Sequence, residues 1–331
     1  MKIMKKIVLA AAVLSLLCLA GCKPGKALLP SISGKSGEIV VVMDKAWWDS
    51  APGDSVRAVL GTDCPYFVMP EARYSLINVT PTNFGDLFKV HRNILTFKTD
   101  SETDSCLVRI HHDVWAQPQC VIQVCGNGIE EATRAFCEGS ATIISGFEQA
   151  ERDRIVSNAR TYEQTDIFPK VAEKFGGSLH FPSGYTLRKI NDNFAWIEYG
   201  TRVYTQCIFI YKYPAREDCF SEQNLVRERD SIMKAEVPGP REGSYVYTSQ
   251  EVMKPSVEFI RYKGRRFAQM RGWWETEGDY MGGPFVSHCF YNPDGKEIIC
   301  AEAFLYQPKE NKRLLFHQIE SILFTFFFRL L

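Results

Sequence analysis

Four groups of residues have types and spacings from which chemistry could be built. His111, His112 and Asp113 form a run of metal-ligating side chains. On a strand, adjacent residues point to opposite faces, so the two imidazoles cannot share one ion. They read as surface or edge residues, and no metal is expected. The six histidines otherwise lie far apart, with no His-x-x-x-His or His-Glu-x-x-His spacing. Glu148 and Glu151 stand one helical turn apart, followed by Arg152, Asp153 and Arg154. Paired carboxylates can serve acid/base chemistry, but such a charge run is the pattern of a long helix's solvated face, and that reading is preferred. Gly126-Asn127-Gly128 has the start of a phosphate-binding turn, yet Glu131 stands where the third glycine belongs, which leaves a strand-to-helix turn. No Gly-x-Ser-x-Gly elbow, kinase or P-loop signature occurs, and no cofactor is expected. The most unusual loop is Asp279 to Phe285, with Met281, Gly282, Gly283 and Pro284, after Arg271-Gly272-Trp273-Trp274. Its glycines open backbone conformations closed to other residues and its proline fixes the exit. A tight corner packed under the tryptophans is the preferred account. A stacking platform for a glycan, peptide or lipid headgroup, built from Trp273, Trp274, Tyr280, Met281, Gly282 and Gly283, is the alternative and the first place to seek a ligand.

One cysteine has a more specific signal. Met1 to Lys6 is a short basic segment and Ile7 to Ala20 an apolar one, together the pattern of an export signal and too short for a bilayer span. It ends in Leu19-Ala20-Gly21-Cys22, which resembles a lipobox, so Cys22 is expected to carry diacylglyceryl and N-acyl (palmitate-type) chains at the start of the mature protein. Several chains on one residue exceed what stable membrane anchoring needs. Of the eleven cysteines, Cys18 leaves with the signal and Cys22 is lipidated, so nine remain and cannot all pair internally. Cys289 and Cys300 flank Asn292-Pro293-Asp294-Gly295 symmetrically and face each other if the loop is Pro293 to Lys296; Cys207 with Cys219 and Cys120 with Cys125 are weaker pairs.

The 331 residues carry 39 Lys+Arg and 39 Asp+Glu. Removal of residues 1–21, with Lys2, Lys5 and Lys6 and no acid, leaves 36 basic and 39 acidic residues. A strongly basic nucleic-acid binder is excluded, and 45% hydrophobic content excludes a disordered chain. Residues 22–37, with Pro24, Gly25, Pro30, Gly34 and Gly37, have the composition of a tether without packed structure.

Beyond the tether, hydrophobic periodicity implies an α+β protein: two α/β-layer domains, 38–160 and 161–331, each a mainly antiparallel sheet with helices packed on it. In the first, strands are expected at Glu38–Met43, Tyr74–Val79, Ile94–Thr99, Cys106–Val114 and Gln119–Val124. Helices are expected from Thr82 to His91 and, as one long element, from Ile129 to Ala159. The second begins with a helix at Ile167–Phe175, contains strands from Tyr185 to Phe304 around a helix at Ser221–Ala235, and closes with a docking helix over Leu314–Leu331.

The residues also carry a family resemblance, through Glu38 to Asp44 with Trp48, Gly53 to Leu60, Arg92 to Leu95, Trp115 to Gln119, Phe181-Pro182-Ser183-Gly184-Tyr185, Asn193 to Trp196, Val237 to Tyr245 and Met281 to Phe285. The chain resembles, along essentially its whole mature length, the bacterial lipoprotein family of domain of unknown function number 4837, found mainly in Bacteroides-type bacteria. Cys64 to Glu71 and the Phe-rich terminus depart from its pattern. The resemblance implies a membrane anchor and brings no assigned activity or catalytic residue. Lys23-Pro24 after Cys22, in place of an acidic run, points to the periplasmic side of the outer membrane. The expectation is a membrane-anchored envelope lipoprotein acting as a non-enzymatic binding or assembly module, with an envelope protein, glycan or lipid as partner. The alternative is an envelope hydrolase or transferase with an acidic site between the domains, using Glu151 or Asp279.

Overall fold

A computed structural model describes residues 28–100 and 107–329; the signal segment, Cys22 and Cys106 lie outside them. The first half contains β1 (Glu38–Val42), α1 (Lys45–Trp48), α2 (Ala51–Leu60), β2 (Ser75–Val79), α3 (Asp86–Lys89), β3 (Asn93–Lys98), β4 (Leu107–His112), β5 (Cys120–Cys125), α4 (Ile129–Glu138) and α5 (Ser140–Thr161). Its strands form one sheet in the order β2-β1-β3-β5-β4. The α+β class holds, but this sheet is mixed instead of mainly antiparallel. β1 pairs β2 and β3 in parallel and β3 pairs β5 in parallel, leaving β4–β5 as the antiparallel pair. The cause lies in the connections: helical segments between β1, β2 and β3 return the chain to the same end of the sheet, as parallel pairing requires. Alternation along β1 sends Ile39, Val41 and Met43 under α2, α4 and α5, and Val40 and Val42 to a smaller core closed by Phe84, Phe88 and Trp115.

Three expected elements differ for local reasons. The long helix breaks at Gly139, where a Cβ would lie 2.5 Å from Val108 of β4, so the close strand selects glycine and the helix restarts. The helix over Thr82–His91 is instead a 3-10 turn (Pro81–Asn83) and the short α3, separated by Gly85 in extended conformation. The tether is shorter than its composition suggests. Ser31 and Ser33 bridge Gln117 and His91, and Gly34 lies so close to the His91 ring that no side chain fits.

The second half contains α6 (Ile167–Phe175), β6 (Gly177–Ser178), β7 (Thr186–Ile190), β8 (Phe194–Gly200), β9 (Thr205–Pro214), α7 (Glu222–Glu236), β10 (Val246–Thr248), β11 (Ser256–Tyr262), β12 (Arg265–Thr276), β13 (Gly282–Tyr291), β14 (Glu297–Tyr306), α8 (Arg313–Leu323) and β15 (Phe327–Phe328). Eight strands form an antiparallel sheet, β10-β12-β13-β14-β9-β8-β7, with β11 also on β12. Along β9, Ile208 and Ile210 face α6 and α8, while Cys207, Phe209 and Tyr211 face α7. Arg229 of α7 is wholly buried; it donates to both Glu302 oxygens on β14 at 2.8–3.0 Å and to Thr248, and lies 3.9 Å over the Phe285 ring. Burial pushes Glu302 above the usual carboxylate range even with Arg229 beside it.

The β13–β14 hairpin is connected by Pro293–Lys296, with Asn292 N–H donating to Glu297 O, and places Cys289 opposite Cys300. They form a disulfide across a narrow pair, Cα–Cα 4.2 Å. Cys120, Cys125, Cys207 and Cys219 are free and buried. The last helix stops at Leu323 instead of running to Leu331. Thr325 Oγ1 bonds Ile322 O, the chain turns, and β15 pairs with β6 beside α6. Among the described residues no helix is long and apolar enough to cross a membrane.

Candidate functional site

The loop singled out in the sequence is taken apart by the fold. Gly282 and Gly283 open β13, opposite Glu275 and Trp274 of β12. A Cβ on Gly283 would lie 2.1 Å from Leu305 O, so close strand packing fixes that glycine. Trp274 is buried against Phe304, its Nε1–H donating to Leu305 O, while Trp273 as its chain neighbour occupies the other face of β12. Tyr280 stands 99% exposed in the turn and Met281 packs at the edge of the Trp274 cluster. The two indoles therefore do not share one platform. Asp279 sits in the same turn, paired with Arg241 at 3.3 Å. His111 and His112 are exposed on β4, and Gly126–Gly128 joins β5 to α4, with Asn127 N–H donating to Glu131.

The charge run of α5 is not a solvated face, contrary to the reading of its sequence. One side of the helix, with Ile143, Phe147 and Ala150, covers the first sheet. The other meets the second half: Arg152 lies 3.9 Å over Phe324, and Gln149 bonds Tyr262 at 3.3 Å. Glu151, 3% exposed, accepts from Asn93 Nδ2 (2.8 Å), Ser36 Oγ (3.0 Å) and Gly37 N (3.3 Å), with Arg154 at 3.1 Å and Arg92 at 3.6 Å. Burial pushes its carboxyl up, but Arg154, Arg92 and Asn93 outweigh burial and hold it below the usual range. Glu148, one turn earlier, accepts no hydrogen bond among the described residues; burial and the nearby Glu320 push it up.

Glu148 and Glu151 line a small cavity of about 40 Å³ at the seam, with Cys64, Tyr66, Tyr74 and His317. The segment Cys64–Glu71 reaches across this seam. Tyr66 packs on Phe316 and under Arg271, and Glu71 accepts from the N–H groups of Lys312 and Arg313, capping α8 at 2.7 and 2.9 Å. Arg271 pairs with the buried Glu320. Burial raises the Cys64 thiol to about 11, so it is not a thiolate at neutral pH, and burial lowers His317, which stays neutral. A volume of this size holds a water or two and no substrate. The seam joins the halves; it does not bring Glu151 and Asp279 to one site.

An open concavity lies at the other end of α5, where sequence reading found no site. Asn158 comes from α5 and Tyr162 caps its C-terminal end, Pro182, Ser183 and Tyr185 come from the segment before β7, Tyr199, Tyr204 and Gln206 from the β8–β9 hairpin, and Gln318 from α8. It encloses about 310 Å³. Tyr185, Tyr199 and Tyr204 form a row with centroids 5.6 and 6.2 Å apart. Gly184 has φ +94°, and a Cβ there would lie 3.1 Å from the Tyr199 ring, so the glycine in Phe181–Tyr185 lets the chain lie against this row. That motif is the one local signal; the rest of the lining is spread over 160 positions of sequence.

No curated protein matches the chain. Among solved structures, a single-substitution mutant of the protein Mog1 is similar at 7% identity and TM-score 0.31, covering 46% of this chain and 90% of that one. The resemblance read along the whole mature chain narrows to its second half, because a different model takes the first. The chain carries matches to two families without assigned function, the domain of unknown function DUF8532 over residues 32–160 and the domain of unknown function DUF4837 over residues 164–325.

Proposed function

We propose that this chain is a cell-envelope lipoprotein, anchored through acylated Cys22 on the periplasmic side of the outer membrane of a Bacteroides-type bacterium, whose folded body is a non-enzymatic binding or assembly module. The observation that carries the binding role is a contrast: Glu151, Glu302 and Glu320 are buried and closed in ion pairs, whereas the open concavity is lined by uncharged side chains. Acid/base catalysis in that concavity would need a carboxylate or imidazole within reach of a bound substrate, and its lining supplies neither; the His180–Glu163 pair lines a separate pocket. The anchor rests on Leu19-Ala20-Gly21-Cys22 after its apolar segment. Membrane fractionation with acyl labelling tests it: Cys22→Ala loses the label and leaves the membrane fraction, and unchanged retention with unchanged label refutes the anchor. Crosslinking and pull-down from membranes, with Cys22→Ala as control, tests the module. A specific partner supports it, and turnover of an envelope substrate without one sinks it.

A further inference from the structure

We infer that the concavity between the end of α5 and the β8–β9 hairpin is a subsite for a neutral oligosaccharide; this rests on the binding-module reading and names its ligand. None of the residues lining the concavity carries a formal charge at neutral pH, and Tyr204 is held neutral by burial and by Tyr199, both of which push its phenol up. An anionic or cationic ligand would surrender its hydration there without a counter-charge.

The lining mixes ring faces with neutral hydrogen-bonding groups. Half-buried Tyr199 and Tyr204, backed by buried Tyr185 and with Tyr162 64% exposed at the rim, offer aromatic faces on which the C–H faces of sugar rings stack. Asn158 and Ser183 make no side-chain hydrogen bond among the described residues, so their donors and acceptors are available to hydroxyls along a sugar's edge. A purely apolar ligand would strand these groups.

The back wall is held in place before any ligand arrives. Gln206, 1% exposed, accepts from Tyr185 Oη at 3.0 Å and donates to Leu315 O at 3.0 Å and Gln318 Oε1 at 3.3 Å. This network fixes the back wall and leaves the amide N–H groups of Gln318 uncommitted. The volume sits at the small end of ligand sites, roughly 300–1,000 Å³, which suits a short stretch of a longer chain.

The test is calorimetric titration of the full chain in detergent with maltohexaose, cellohexaose, mannohexaose and xylohexaose, beside hexagalacturonate and a Gly-Ser hexapeptide. Saturable binding of a neutral hexasaccharide is expected, weakened roughly fivefold to tenfold by Tyr204→Ala and by Asn158→Ala. Tyr280→Ala, in a remote turn, leaves it unchanged, and thermal melts show that all three variants fold. The inference is overturned if no neutral hexasaccharide binds, if the groove variants bind as well as wild type, or if hexagalacturonate or the peptide binds at the groove in its place. That last result leaves the binding-module reading standing. Release of new reducing ends during titration overturns the module reading itself.

Discussion

Replacing Glu151 by Gln and, separately, Glu148 by Gln should move stability in opposite directions, although the two carboxylates stand one turn apart on α5. Glu151→Gln removes the negative charge that Arg154 and Arg92 share and that Asn93, Ser36 and Gly37 bond. Removing one partner of a buried ion pair costs about 3–5 kcal/mol. Arg154 keeps bonds to Asn93 Oδ1, Arg92 O and Pro118 O, and Gln keeps an acceptor, so the loss belongs at the low end, about 3 kcal/mol. At about 2–3 °C per kcal/mol, Tm falls by roughly 6–9 °C. Glu148→Gln removes a partly buried charge that no hydrogen bond satisfies and that faces Glu320. Relief of that burial of charge and of the repulsion from Glu320, on the order of 1 kcal/mol, raises Tm by roughly 2–3 °C.

Their pH dependences separate them again. Glu151 titrates lower in the folded chain than in the unfolded one, so its contribution is present above the unfolded value and lost as pH falls through the folded one. Glu148 titrates higher when folded, so the stability it contributes is whole below the unfolded value and lost as pH rises through the folded one. Calorimetric melts between pH 2 and 8 read both. In Glu151→Gln the acid limb flattens; in Glu148→Gln the gain over wild type grows with pH through the mildly acidic range. Equal signs for the two variants at neutral pH would refute the assignment of one carboxylate as a clamp and the other as a strained neighbour.

Three further outcomes are expected. Arg229→Met should cost about 3–5 kcal/mol in urea unfolding by stranding Glu302, while Arg229→Met/Glu302→Leu recovers most of it, because neither charge is then left buried alone; a double variant as weak as the single would contradict this. Removing the Cys289–Cys300 disulfide with two alanines should cost about 2–3 kcal/mol for so short a loop, and reductant should then no longer shift the melt. Iodoacetamide at neutral pH should label exposed Cys137 readily and leave Cys64 unlabelled until the chain unfolds, which peptide mass mapping of native and denatured samples reads directly.

What the sequence made legible was local. Strand alternation located nearly every strand of the large sheet, and Asn292 to Gly295 set a turn whose register makes Cys289 and Cys300 partners. Parallel pairing in the first sheet was hidden because it depends on crossovers, not on any pattern within a strand. Glu151 was misread because α5 has one apolar side, and its other side is covered through charges instead of methyl groups. Its partners Ser36, Gly37 and Asn93 lie 58 to 115 positions away, where no helical spacing points. The tyrosine concavity escaped for the same reason: four separate stretches of chain line it, and only Phe181–Tyr185 forms a motif.

The misread carboxylate also bears on the proposed anchorage. Glu151 holds Ser36 and Gly37, and Ser33 bonds the backbone of Val90 and Arg92, so the chain is fastened to the first half well before β1 begins. Gln117 N–H donates to Pro30 O, which moves the first fastened point to Pro30. With acylation at Cys22, seven residues, or eight Cα–Cα steps, separate that point from the lipid-bearing residue. At no more than about 3.6 Å per residue, the body cannot stand further than roughly 29 Å from the bilayer, about half the reach of a tether running to Gly37. In the proposed anchorage, this limit applies to the side of the body that carries Pro30. Because Pro30 and Ser33 are held by backbone bonds that do not involve Glu151, Glu151→Gln should lower Tm yet leave that reach as it is, so crosslinks from the body to membrane-embedded neighbours should match wild type at a temperature where the variant remains folded, and their loss would contradict this placing of the fastened point.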